Sequence, residues 1–362
     1  MAAPTVYKWD DPGAPVLDSS NNSTRAQQVL DLIKACLVDG YGAKAGAGWT
    51  AFDDRVSNSR VMILQQGGTG FAVNAMVRFD TGRMGINGAG AYQIDAAESY
   101  TDILTPVGAF ANPTRNLNNT NHYGSYVWAR YTNTSGYPCT WMMIANERTF
   151  YLWFGRHSKT TSLPADTSST HQDGYSGFYG GSFFGDYENA VPGFQYNQMF
   201  IENEQTAYTT DHPRTWSMLI SGMDGVGGRY ALRAWNRHAR YFGGGPSNYT
   251  SYKVCTFLPY MESTPAGSYE GPRLGYGWGA LTYPYPENNE LFLEKVGIGL
   301  GGVIHGYWPG LHQTLHSNYP STWYPDTFQG TGDFAGQEFI IVPQYRGKLI
   351  IRIDADWNSL GV

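Results

Sequence analysis

The chain is poor in charge. Lys, Arg, Asp and Glu make up 15% of its 362 residues, against about 25% in an average soluble domain. The balance is −6 with His neutral. A surface that tracks phosphates gathers Lys and Arg on one face, so direct nucleic-acid binding is not expected. Cysteine is scarce too: Cys36, Cys139 and Cys255 are isolated, odd in number and set among apolar residues. That removes a disulfide framework and any Cys-x-x-Cys metal site, and suits assembly in a reducing cytoplasm. The sequence has no run of 18 apolar residues and no charged-then-apolar segment at Met1, so neither a spanning helix nor a secretory signal is expected, and no membrane partner. No fixed repeat period emerges, which speaks against solenoids and propellers.

What the chain does have is rings and turn residues: aromatics reach 15%, with 45 Gly and 19 Pro. Such a composition suits either a loop-rich β protein with a generous core or a surface partly covered by partners. A length of 362 residues is enough to bury roughly 75% of the extended chain's surface, as one large β domain or two smaller ones.

Sustained helical spacing occurs once. Ala26, Val29, Leu30, Ile33 and Leu37 fall on one face, and Thr24 with Gln27 has the capping-box form, which predicts a helix of roughly 12 to 14 residues covering a sheet. Asp39-Gly40 should end it, with Gly42, Gly46 and Gly48 tightening the exit towards Trp49. Before the helix, Tyr7, Trp9 and three prolines within residues 1–22 suggest an extended arm.

The rest reads as strands. Ser59–Gln66 and Phe71–Phe79 alternate about a Gly67–Gly70 turn, and Asp95-Ala96-Ala97-Glu98 has the form of a short helix start. Thr140–Asn146 and Thr149–Gly155 make a hairpin across Glu147-Arg148, although neither turn residue takes positive φ easily. Tyr175–Phe200 is crowded with Phe and Tyr, Thr215–Ser221 and Gly228–Trp235 pair, and Glu338–Pro343 with Lys348–Asp354 closes the chain. The expected fold is mainly β: a β-sandwich or barrel-like antiparallel sheets, one N-terminal amphipathic helix, and long Gly/Pro/aromatic loops. Residues 1–22 form the arm and 23–362 one large domain, with a point of subdivision near 156–175.

Candidate chemistry is thin. Gly297-Ile298-Gly299-Leu300-Gly301-Gly302 spells the dinucleotide fingerprint, but Gly306 and Pro309 break the helix that must follow it. His305, His312 and His316 are close in sequence, yet no helix holds them at ligand spacing and no HExxH glutamate stands between them. Glu202 with Glu204 and Asp354 with Asp356 could share a strand face as glycosidase carboxylates do, although Asp354 and Asp356 sit where short acids commonly cap turns. Arg229, Arg233, Arg237, His238 and Arg240, interleaved with Tyr230, Trp235 and Tyr241, read first as solvent-facing strand residues. No GxSxG elbow or P-loop occurs. No catalytic residue, cofactor or metal is expected.

Three segments carry a resemblance. Gly13-Ala14-Pro15-Val16-Leu17, Leu30, Ala35 to Gly42, Lys44 and Gly48-Trp49 resemble the opening of a family of uncharacterised tailed-bacteriophage proteins. Trp141 to Tyr151 (WMMIANERTFY) is similar to that family's central hairpin. Gly310-Leu311-His312, Asp326-Thr327-Phe328 and Ile353-Asp354-Ala355-Asp356-Trp357 are similar to its close. The middle, from about Gly155 to Tyr285, has no counterpart. The resemblance implies a virion structural protein with no assigned activity: a tail, baseplate or neck subunit, or alternatively a capsid decoration protein. Its partners would be copies of itself and neighbouring virion proteins, and its location the particle, after assembly in the host cytoplasm. From the residues themselves, Trp and Tyr near Asn and Asp suggest another class, a glycan- or host-receptor-binding module or a depolymerase.

Overall fold

The computed structural model describes residues 3–18, 22–54, 60–69, 74–81, 91–107, 126–128, 139–158, 178–186, 188, 198–201, 216–220, 228–233, 253–257, 293–300, 303–314, 326–344 and 347–357. Among these the chain is mainly β. Strand β1 (Thr5–Lys8) precedes helix α1 (Asn22–Lys34), then β2 (Thr50–Asp53), β3 (Val61–Gln65), β4 (Met76–Asp80), β5 (Ala91–Ala97), β6 (Ser99–Asp102), β7 (Thr105–Val107) and β8 (Tyr126–Trp128). There follow β9 (Cys139–Ala145), β10 (Phe150–Ser158), β11 (Phe178–Gly185), β12 (Gln198–Ile201), β13 (Trp216–Ile220), β14 (Gly228–Arg233) and β15 (Lys253–Phe257). The series ends with β16 (Leu293–Leu300), β17 (Val303–Thr314), β18 (Asp326–Gln329), β19 (Glu338–Gln344) and β20 (Gly347–Arg352).

The described strands form three sheets. A 13-stranded sheet runs β1-β9-β10-β11-β12-β13-β14-β15-β16-β17-β20-β19-β18, a 5-stranded sheet runs β2-β3-β4-β5-β8, and β6 pairs with β7. Pairing is antiparallel except for β14 with β15 and a single parallel contact, Phe178 with Gln344. That contact brings β19 back to β11, so the order from β11 round to β19 closes on itself, as a barrel-like sheet does.

One core joins the helix to both larger sheets. Alternation along β3 sends Met62 and Leu64 inward, and along β9 and β10 it sends Trp141, Met143, Ala145, Phe150, Leu152 and Phe154 to the same core. Ala26, Val29, Leu30, Ile33 and Leu37 fill it from α1, all fully buried as the spacing predicts. Ile63 points the other way, into a small cluster with Met76, Ala97 and Tyr100. The helix widens at its end: Ala35–Asp39 is a π-helical turn, and the Gly40 N–H donates to Ala35 O at 2.7 Å. Returning chain satisfies the next carbonyls, with Ala47 N–H on Cys36 O and Trp49 N–H on Leu37 O, both at 3.0 Å. Gly46 is needed there because a Cβ would lie 2.2 Å from Val38 O.

Several expectations are corrected. Thr5–Lys8 is no free arm but an edge strand, pairing Thr5↔Ala145 through Lys8↔Met142, with Tyr7 fully buried. The buried Tyr7 ring outweighs the prolines, which lie outside the strand at Pro4, Pro12 and Pro15. Asp95-Ala96-Ala97 belongs to β5, with Asp95 opposite Arg78, because a sheet already waits at that edge and overrides the local helix signal. Helix α1 starts at Asn22, so Thr24 lies inside its first turn, and Gln27 donates to Asp31 Oδ1 at 2.7 Å instead of closing a capping box. The β3–β4 hairpin is present, with Gln65↔Met76 as its last pair and a connection longer than a glycine turn.

Candidate functional site

The most concentrated polar chemistry among the described residues sits where the two larger sheets meet, at the β9–β10 turn. Ala145 pairs with Phe150, so Asn146 to Thr149 must reverse the chain without a glycine. Asn146 solves this: its Oδ1 accepts from the N–H groups of Arg148 and Thr149, each at 2.9 Å, while its own N–H donates to Thr149 O at 2.9 Å. Among described non-glycine residues positive φ occurs at Arg60 alone, so this side-chain brace replaces the usual glycine-based hairpin turn.

The turn aims Arg148 inward, where it is 1% exposed. Its Nε donates to Asp186 Oδ2 at 2.7 Å and its Nη2 to Asp186 Oδ1 at 3.3 Å, a two-point pair with the residue just past β11. Its Nη1 donates to Gly67 O at 3.2 Å and to Asn74 Oδ1, both on the β3–β4 connection. Gln66 completes the bridge: its Nε2 donates to Arg148 O, and its Oε1 accepts from Ala75 N–H at 3.0 Å. Trp49 Nε1 donates to Asn146 O at 2.8 Å, and Gly67 N–H to Glu147 O at 2.9 Å. A cation held this way joins one sheet to the other. Its donors are aimed at protein acceptors, which makes the arrangement a cohesive contact between the sheets.

A second buried set closes the far face of β10. Tyr151 donates from its hydroxyl to Pro309 O at 2.9 Å and meets Trp357 edge-on at 5.6 Å. Gly310 N–H donates to Oε2 of the fully buried Glu188 at 3.1 Å. Burial, and then the Glu188 charge, push the Tyr151 hydroxyl well above its ordinary range, so it serves as a neutral donor. Gly310 has φ +64, and a Cβ there would lie 2.2 Å from Trp357 Nε1, so only glycine fits.

Those residues singled out from sequence that are described are not gathered into a site. His312 is buried, its Nδ1 2.8 Å from Gly310 O and its ring edge-on to Phe334 and Phe339. His305 lies seven residues earlier on β17, and His316 is outside the described residues. No group of three His, Cys, Asp or Glu placed to hold a metal occurs among the described residues. Asp354 pairs with Arg352 at 2.8 and 3.2 Å. Partial burial opposes ionisation there, but the Arg352 hydrogen bonds and charge outweigh it and hold the carboxyl below its usual value, the reverse of a glycosidase acid. Glu202 and Glu204 are outside the described residues. Residues 297–300 of the glycine run lie on β16, which pairs with β17 through Leu300↔Val303, so a strand stands where a dinucleotide motif needs a helix; Gly301 and Gly302 are outside the described residues. Register shifts at Lys295/Gly297 and Ile298/Gly299 mark bulges that account for the glycines. Arg229 and Arg233 lie on β14, while Arg237, His238 and Arg240 are outside the described residues. Cys36 is a buried thiol, its pKa raised by burial and so unreactive.

Sequence reasoning missed the Arg148–Asp186 pair and Glu188. Two charges in an otherwise apolar hairpin were the available signal for the first, although its partner is 38 residues away in the chain; a partner 122 residues away left none for the second. Neither family models nor curated proteins yield a match to this chain.

Proposed function

We propose that the chain is a non-enzymatic structural subunit of a tailed-bacteriophage particle, at the tail, baseplate or neck. One observation carries the reading. The segments that resemble the phage family, far apart in sequence, pack against one another in the interior. Trp141 Nε1 donates to Pro15 O at 3.1 Å, Tyr41 and Trp141 meet edge-on at 6.1 Å, and Trp49 meets Phe150 at 5.7 Å. Tyr151 of the central hairpin touches Trp357 of the close. These contacts lie in the packed interior and tie the three segments together, which supports a scaffolding role. The glycan alternative needs ring faces open to a sugar; among the described residues Trp49, Trp141, Trp153 and Trp357 are each at most 4% exposed, and Trp9 is half-buried.

Quantitative mass spectrometry of density-banded particles from the encoding phage tests this. A fixed ratio to the known structural proteins is expected, and absence from washed particles refutes it. Gold-labelled antibody on intact particles then separates tail, baseplate or neck from capsid decoration.

A further inference from the structure

Among the described strands β1 is the outer one of the large sheet, and an outer strand offers a row of unpaired backbone groups to any other strand that arrives. Trp9 N–H donates inward to Trp141 O at 3.2 Å. By the alternation of an antiparallel ladder Thr5, Tyr7 and Trp9 bond to β9, and Val6 and Lys8 face outward. Three of those outward groups are engaged. Lys44 Nζ donates to Val6 O at 2.6 Å, Lys8 N–H donates to Asp11 Oδ2 at 2.7 Å, and Lys8 O accepts from Asp11 N–H at 3.2 Å. The engaging groups also hold one another: Lys44 Nζ and the Tyr41 hydroxyl both donate to Asp11 Oδ2. Tyr7, inserted beneath, donates from its hydroxyl to Ala45 O at 2.7 Å and so ties the strand to the same loop. Close backbone approach lets the loop lie there, since a Cβ on Gly42 would stand 2.2 Å from Pro12 O.

We infer that Asp11, Tyr41 and Lys44 form a side-chain seal on this sheet edge, which keeps a β-strand of a second copy from adding to β1. The residues do what a neighbouring strand's backbone would do, accepting from Lys8 N–H and donating to Val6 O, but from side chains that cannot propagate a ladder. An assembling subunit has special need of such a seal, because copies brought close together by intended contacts also meet edge to edge. The inference stands on these hydrogen bonds alone and does not depend on the particle reading.

The test uses the full chain. In native-state hydrogen exchange of the wild type, the outward Lys8 amide should be protected to within about tenfold of the inward Tyr7 amide. Exchange of Lys8 at loop rates while Tyr7 stays protected overturns the seal. Lys44→Met keeps the aliphatic stem and removes the donor. Checked for folding by near-UV circular dichroism, it should self-associate beyond wild type in sedimentation velocity, in a concentration-dependent way. Adding Lys8→Pro to that variant should suppress the excess, because the lost N–H faces outward, where an added strand would bond. A folded Lys44→Met protein that sediments as wild type does, or an excess that Lys8→Pro leaves untouched, counts against the seal.

Discussion

Replacing Arg148 by Met keeps most of the stem and removes the guanidinium from a site that is 1% exposed. Asp186, 6% exposed, is then a buried carboxylate without its cation, a loss of about 3–5 kcal/mol. Asn74 Oδ1 and Gly67 O lose a charged donor as well, about 1 kcal/mol each. Together these reach about 5 kcal/mol, comparable with the lower end of a whole domain's stability. Asp186→Leu should be similarly damaging, since it strands the guanidinium. The double variant removes both charges at once and should lose less than the sum of the single losses by about 2 kcal/mol or more. Equilibrium urea unfolding, followed by tryptophan emission, measures all three. A loss under about 1 kcal/mol for Arg148→Met, or single losses that add to within about 0.5 kcal/mol, would refute the view that this pair clamps the sheets.

Gly310→Ala places a Cβ against Trp357 at φ +64 and should cost about 2–4 kcal/mol in denaturant unfolding; a neutral result would contradict the packing described. Trp49→Phe keeps a ring near Phe150 but loses the donor to Asn146 O, and should cost about 2 kcal/mol by the same measurement. Asp11 is partly buried, which raises its pKa, but hydrogen bonds from Lys44, Tyr41 and Lys8 outweigh burial and hold it below its ordinary value. A carboxyl depressed in the folded state stabilises above its unfolded pKa, about 3.9, and loses that contribution as pH falls through the folded value. Thermal unfolding from pH 5 down to pH 2 should therefore weaken less steeply in Asp11→Asn than in wild type, and identical slopes would contradict the assignment.

Local chemistry made much of the fold legible. The helical spacing from Ala26 to Leu37, the stop at Gly40 with φ +79, and the closing hairpin β19–β20 all follow from periodicity and turn residues. Where tertiary partners decided, the sequence misled. Asp95 looks like a helix start until Arg78 lies opposite it, and Thr5–Lys8 looks like an arm until β9 offers an edge. The polar clamp was hidden for the same reason: Glu147-Arg148 reads as an awkward turn until Asp186 and Asn74 are brought to it from elsewhere. The histidines and the Asp354–Asp356 pair were legible as residue types, but their neighbours, rings around His312 and Arg352 beside Asp354, could be read only in three dimensions.

The most direct measurement is a cryo-electron microscopy reconstruction, at side-chain detail, of the phage particle to which the proposed function assigns the chain. The account predicts density at symmetry-related positions into which the two joined sheets fit, with Arg148 on Asp186 and Trp49 beneath the β9–β10 turn. A complete particle in which no such density is present, together with substrate turnover by the purified chain, would contradict it.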